Sequence, residues 1–363
     1  MKPLKDLYYG LDFYERLAHE LHRIYPSLKP KAFLDDAVNG LEQRELKQRI
    51  DHTAIVCQHH LPTDYGQALS VLYSWSEGQE NNFSHIFVPS FVARYGQHDY
   101  TRSIQALKDL TQYSSSELAI RSYLTQDFTR TLKHMQHWTG DDNHHVRRLA
   151  SEGCRPRLPW ASRVPQLMTE PGVTWPIIES LKDDNELYVR KSVANHINDL
   201  SKDHPDWLVQ QLSQWSPLSD QQTWIMRHGC RSLIKAGNSP ALSLLGFNPQ
   251  AKIDVTQFQV HTPELQLGQT LSFSFELSNP NTQPQKLAID YCIHYRKKTG
   301  KLAPKVFKLK EINLAPNDRK HINKQQLIKN FSTRIHYAGA HEIELLVNGI
   351  SQAKGYFDLK IGE

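Results

Sequence analysis

The chain is short of the residues and runs that mark secreted, membrane and cofactor-dependent proteins. Its 363 residues include four cysteines, Cys57, Cys154, Cys230 and Cys292, and no two of them form a CxxC pair. That spacing argues against a disulfide framework or a structural zinc finger, and points to a reduced, cytoplasmic protein. No apolar run is long enough to span a bilayer, and the N-terminus, MKPLKDLYYG, lacks the apolar core of a signal peptide. Neither GxxxxGK nor GxGxxG occurs, so no nucleotide cofactor is expected. Histidines number 19, but the pairs His59/His60, His134/His137 and His144/His145 show neither an HExxH pattern nor a cysteine partner, so no metal is expected.

What is present fits a globular chain long enough for two domains: 39% hydrophobic and 22% charged residues. Charge is unevenly spread. The first 249 residues hold 27 Lys and Arg against 28 Asp and Glu, whereas residues 250–363 hold 16 against 10. The densest basic stretch, RKKTGKLAPKVFKLK (296–310), carries seven positive side chains and no acid. It reads either as a strand edge kept soluble by lysines or as a nucleic-acid contact, and the second needs a phosphate-binding face in the N-terminal part as well.

Hydrophobic periodicity divides the chain. FYERLAHELHRIY (13–25) places Phe13, Leu17, Leu21 and Ile24 on one helical stripe, and GLEQRELKQRIDHTAIVC repeats the pattern with Leu41, Leu46, Ile50, Ile55 and Val56. Breaks fall at Pro26, Pro30, Gly40 and Pro62. DDNHHVRRLA (141–150) is echoed by DDNELYVRKSVA (183–194), with Val-Arg pairs 43 residues apart at 146/147 and 189/190; WIMRHGCRSLIKAG (224–237) is a weaker echo. That period suits HEAT-type helix pairs, whose curved stack presents a long concave surface. In such repeats an Asp of the turn can pair with an Arg of the second helix, a structural role open to Arg147 and Arg190. After Gly246 the period becomes two, in 269–278, 287–297, 306–314, 341–349 and 355–361, with Asn-Pro, Thr-Gly and Asn-Gly turns. The expected fold is an all-α HEAT-like repeat solenoid (1–247) followed by a small all-β immunoglobulin-like sandwich (253–363), joined by a linker near GFNPQAK (246–252).

One run stands apart. Residues 146–160 read VRRLASEGCRPRLPW, and Arg147, Arg148, Arg155, Arg157 and Arg163 surround a single acid, Glu152. Such like charges repel with no neutralising neighbour in the sequence, so a polyanion is the expected counterion and a lone carboxylate among them suggests chemistry on it. Composition alone leaves Glu152 open to a plainer role, pairing with Arg148 or Arg155 on a helix. A non-catalytic HEAT scaffold with a basic face for nucleic acid or lesions is the rival reading, and solenoids do mostly bind.

The run, together with GLEQRELKQRI (40–50), SSSELAIRSYL (114–124), WTGDDNHHVRRLASEGCRPRLPWA (138–161), VRKSVANHINDLSKDHPDWL (189–208) and RHGCRSLIKAG (227–237), resembles the AlkC family of DNA glycosylases, and the segments occur in the order expected. The resemblance covers most of the chain. It implies excision of cationic N3-methylated bases, 3-methyladenine and 3-methylcytosine, from double-stranded DNA, without flipping the lesion into a deep pocket. The C-terminal sandwich fits the same branch.

An N3-methylated base is already cationic and leaves neutral, so the demand falls on the positive charge that develops on the sugar. Glu152 is the first choice to stabilise it. Glu117 follows Ser114, Ser115 and Ser116, where a helix start would also suit an acid. Asp199 either completes the carboxylate set or caps a helix. Trp160, after Pro159, offers an aromatic face to a cationic base or sugar, and Arg155 and Arg157 join it as substrate-binding candidates. Trp138 and Trp175 read as core. Candidates for the DNA backbone are Arg148, Arg163, Arg190, Arg227, His228, Arg231 and Lys235, with Arg227, Arg231 and Lys235 at the spacing of one helix face. Such a solenoid can act as a monomer.

Overall fold

The computed structural model describes residues 3–216, 218–248, 250–331 and 334–362. It comprises two compact units, Met1–Asp203 with Leu218–Ile225, and His204–Pro217 with Met226–Glu363. Helix gives way to strand between Leu244 and Asp254, yet the last short helices share a unit with the strands. No helix among the described residues is long and apolar enough to cross a membrane.

The first unit is helical. Helix Leu11–Ile24 buries Phe13, Leu17 and Leu21 as the stripe predicts, while Ile24 at its end stays 37% exposed. The next expected helix begins at Leu46 rather than Leu41. A capping box closes there: the Glu45 side chain accepts the Gln48 N–H, and the Gln48 side chain accepts the Glu45 N–H.

Two repeats carry the site. Helix Phe128–Trp138 packs on His144–Glu152, and Trp175–Leu181 on Leu187–Asp203; the second helices also pack on each other. The Val-Arg echo has one structural meaning in both. Arg147 donates to the carbonyls of Asp141 and Asp142, and Arg190 to those of Asp184 and Asn185, each closing the turn that opens its own helix. Arg147 also forks onto Asp184 of the next repeat at 2.6 and 3.2 Å.

The second unit is built on eight described strands: β1 (Asp254–Val260), β2 (Glu264–Gln266), β3 (Thr270–Ser278), β4 (Gln285–Arg296), β5 (Leu302–Leu314), β6 (Arg319–Leu327), β7 (Gly339–Val347) and β8 (Ile350–Lys360). They form a three-stranded sheet, β1-β3-β6, and a five-stranded sheet, β2-β8-β7-β4-β5. Alternate residues face a shared core: Leu271, Phe273, Phe275 and Leu277 of β3; Leu287, Ile289, Tyr291 and Ile293 of β4; Ile343, Leu345 and Val347 of β7. Each such side chain removed from water contributes roughly 1.5–3 kcal/mol. Periodicity found β3, β4, β5, β7 and β8 but not β1, β2 or β6. In β6, RKHINKQQL, Ile322 alone is buried, so pairing with β3 rather than a hydrophobic rhythm makes it a strand. The basic stretch 296–310 forms the β4–β5 turn and most of the sheet-edge strand β5, where lysines discourage further pairing.

On the opposite face of β4, Ala288 packs with Leu242 of the last helix and with Phe247 just after it. There the backbones approach closely. Gly349, at φ +76°, would place a Cβ 2.1 Å from the Gly237 Cα. A Gly349→Ala variant therefore meets both left-handed strain and a backbone clash, and should lose roughly 2–4 kcal/mol. Urea unfolding checks this; a variant as stable as the parent would mean that the turn and helix do not meet so closely.

Candidate active site

Helix His144–Glu152 starts where the Asn143 side chain accepts the His145 N–H at 2.9 Å, and it ends at Gly153, whose absent side chain lets Ile120 approach. Its last turn aims Arg148 and Glu152 at two other elements. Arg148 closes on Glu117, which stands in the turn just before helix Ile120–Gln126. Glu152 accepts from Arg155 at 2.6 Å and lies 3.6 Å from Arg148. Arg155 in turn donates to Asp199 at 2.9 Å, and Asp199 lies 3.6 Å from Lys202. Acid and base thus alternate along one chain: Glu117, Arg148, Glu152, Arg155, Asp199, Lys202.

Three expectations change. Glu152 pairs with both arginines as an ordinary helix glutamate would, yet it is 5% exposed rather than solvated. Asp199 caps nothing: it lies inside helix Leu187–Asp203, 1% exposed, and also accepts the Arg157 N–H at 3.3 Å. Glu117 precedes its helix instead of occupying the first turn, and Ser115 donates to it at 2.8 Å.

Burial disfavours charge on Arg148 and Arg155, but the neighbouring carboxylates outweigh it and hold both guanidinium pKa values above the usual range. The chain is therefore made of charges that depend on each other. Beneath it His196 bridges Ser151 at 3.5 Å and Thr174 at 3.0 Å, and burial pushes its pKa down to about 3.

The expectation that nothing local neutralises the arginine run is corrected. Asp184 meets Arg147, Glu117 and Glu152 meet Arg148, Glu152 and Asp199 meet Arg155, and Asp203 meets Arg157 at 2.9 and 2.6 Å. Apart from Glu152, which lies within the run, the acids arrive from turns and helices distant in sequence. Arg163 is exposed. Charge repulsion in the run is thus no evidence for a polyanion; the ordering of carboxylates around arginines is what remains.

Trp160 stands at the surface, 62% exposed, with φ 65°. A left-handed tryptophan is strained and needs its surroundings to hold it. Arg121, 1% exposed, does so from below: it donates to the carbonyls of Gly153 and Arg155 at 3.2 and 2.8 Å and twice to that of Ser162, at 3.0 and 2.7 Å. Burial lowers its pKa, with Cys154 and Asp199 opposing the shift. Lys47 donates to the Trp160 carbonyl at 3.1 Å, and Phe83 meets the ring edge-on at 6.4 Å. Beside the indole a cleft of about 250 Å³ is bordered by Ile50, Asp51, Ser90, Ser115 and Leu118. Trp138 is buried and Trp175 half-buried.

Sequence reasoning missed Arg121, Ser115, Tyr188 and His196. Tyr188 lies under the Arg148 guanidinium, 5.1 Å from its ring centre. An arginine within the apolar pattern of LAIRSYL was the available signal for Arg121.

The remaining candidates fall elsewhere. Arg190 is committed to turn carbonyls and to the face of Trp224, 5.9 Å away, which leaves it a structural part like that of Arg147. The helix expected to align Arg227, Arg231 and Lys235 is broken at Cys230, between Asp220–Gly229 and Arg231–Lys235. All three nevertheless border one small pocket with Lys308 and Lys310 of β5, where Arg227 pairs with Glu311. His228 is exposed and gives its carbonyl to Arg231. Among the described residues, one set of side chains is close enough to share a metal ion, and it lies in the sandwich.

The helical repeat unit, with its carboxylates strung on arginines, and the β-sandwich that follows it in the chain each match a known family. Residues 97–233 match the family described as DNA alkylation repair enzyme, and residues 254–361 match the C-terminal Ig-like domain of the uncharacterised protein YhaZ. The chain is 35% identical to the uncharacterized protein YhaZ of Bacillus subtilis (strain 168), over 99% of its own length and 100% of that protein. It is also similar to a solved structure of Pseudomonas fluorescens alkylpurine DNA glycosylase AlkC bound to DNA containing an abasic site analog. That match has 41% identity and a TM-score of 0.96, covering 99% of this chain and 100% of the other. The protein belongs to the AlkC family.

Two outcomes follow from this geometry. Arg121→Met strips four hydrogen bonds from three carbonyls and should cost roughly 2–4 kcal/mol, read by urea unfolding followed by circular dichroism. The second concerns acid. The unfolded chain protonates His196 below about 6.5, while the folded chain resists down to about 3. The unfolded state thus binds more protons in that window, and His196 makes stability fall as pH drops through it, by up to about 1.4 kcal/mol per pH unit. His196→Gln should show a shallower acid limb than the parent; identical limbs would assign the acid sensitivity elsewhere.

Proposed function

We propose that this protein is a DNA glycosylase that hydrolyses the N-glycosidic bond of cationic N3-methylated bases, 3-methyladenine and 3-methylcytosine, in duplex DNA. The observation that carries the proposal is the placing of Glu117, Glu152 and Asp199 on one chain of alternating charge with Arg148 and Arg155. Likeness to an AlkC glycosylase over the whole length supports it.

A base carrying a fixed positive charge needs no proton to depart. The glycosidic electron pair moves onto the ring and the base leaves neutral. Positive charge is left on C1′ and the ring oxygen of the sugar, where a fixed carboxylate lowers its energy most. Glu152 takes that role, with Glu117 and Asp199 adding to the field. Water bonds to C1′ through its oxygen, and its proton passes through a carboxylate to solvent. The arginines serve twice: they fix the positions of the acids by ion pairing, and they offset the repulsion between carboxylate and phosphates. Trp160 supplies an aromatic face to the cationic nucleotide. Arg157, Arg163, Arg227, His228, Arg231 and Lys235 are the proposed backbone contacts. The protein acts as a monomer in the cytoplasm, without a metal or nucleotide in the reaction.

The test is release of bases from methylated duplex DNA, followed by chromatography. The parent should release 3-methyladenine or 3-methylcytosine, and Glu152→Gln should be slower by about 10²-fold or more while still binding the duplex. Binding should also weaken by about a hundredfold or more between roughly 50 and 200 mM salt. Salt-sensitive binding without release by the parent would make the protein a lesion-binding scaffold instead.

A further inference from the structure

We infer that the five-stranded sheet carries a site for a divalent transition-metal ion of the zinc class, formed by Cys292 and His294 of β4 with Glu344 and Glu342 of β7. Nothing in the proposed glycosylase chemistry uses these residues. The ligating atoms of Cys292, His294 and Glu344 all lie within 4.8 Å of one another. A tetrahedral zinc ion with ligands at about 2.0–2.3 Å has edges of about 3.4 Å, so side-chain rotations of an ångström or so complete the geometry.

The backbone builds this cluster. Cys292 pairs with Glu344 and His294 with Glu342 across the antiparallel ladder. Alternation sends Ile293 and Ile343 into the core and sends all four polar residues to the other face. Directly paired residues on one face have Cβ atoms about 4.5–5.5 Å apart, so the four form a small square. His294 Nε2 already lies 3.1 Å from Glu344 and 4.0 Å from Glu342.

The plainer account, a histidine between two acids, leaves the thiol without a role. Cys292 is 3% exposed, whereas His294 keeps 23% of its side chain in solvent, which leaves an ion a route in. Thiolate, imidazole and carboxylate together suit zinc-class ions and poorly suit calcium or magnesium, which take oxygen ligands. Lys354 of β8 is the competitor on this face, with its ammonium 2.8 Å from Glu342. Three protein ligands with Glu342 held by Lys354, or four with the lysine displaced, are the two forms the site can take.

The full-length protein, titrated with Co²⁺, tests the site. It should bind one equivalent with a thiolate-to-cobalt charge-transfer band, displaced by Zn²⁺. Cys292→Ser should abolish the band, Glu344→Gln should weaken binding at least tenfold, and Lys354→Met should tighten it several-fold. Circular dichroism of each metal-free variant checks its fold, and should Cys292→Ser fail to fold, the Glu344 and Lys354 variants decide. Absence of the band in the parent, its survival in folded Cys292→Ser, or affinity unmoved by both other substitutions would overturn the site.

Discussion

The site depends on one interaction, the shared pairing of Arg155 with Glu152 and Asp199. A buried carboxylate without a counterion is strongly destabilising, and so is a buried guanidinium. Here neither is tolerable alone, so the end of helix His144–Glu152, the loop after it and the C-terminal part of helix Leu187–Asp203 must come together. Arg148 repeats the device toward Glu117. The consequence is three acids held on one chain of ion pairs, with the arginines offsetting their mutual repulsion.

That arrangement accounts for the loop. A strained indole would relax if the backbone beneath it were free, and Arg121 removes that freedom by taking up carbonyls on both sides of Trp160. Buried and half-buried arginines thus do separate work: Arg121 shapes the loop, Arg147 and Arg190 close turns, and Arg148 and Arg155 order the carboxylates. Residue type alone does not distinguish these roles.

Much of the architecture was legible in the chain. The change of period from helical to two located both fold classes, because buried faces impose their rhythm on the sequence. The repeat echo was legible too, though its meaning was structural for Arg190. Edge strand β6 and the break at Cys230 were not, since pairing and local turns left no apolar pattern. The three acids singled out in the sequence, Glu152, Glu117 and Asp199, lie on one chain of ion pairs. The argument from unneutralised arginines failed for a definite reason: their counterions lie in turns and helices remote in sequence, such as Asp184 and Asp203. Arg121 and His196 were invisible for the converse reason, because their importance lies in burial and in backbone partners.

The central claim is that the arginine-held carboxylates stabilise positive charge on the sugar. It is tested most directly by affinity for two duplexes that differ at one abasic position, one with a cationic pyrrolidine in place of the sugar and one with a neutral tetrahydrofuran. A site complementary to the charged transition state should prefer the cationic analogue by about tenfold or more, and Glu152→Gln should lose most of that preference. Equal affinity of the parent for both duplexes, or a preference untouched by Glu152→Gln, would contradict the account.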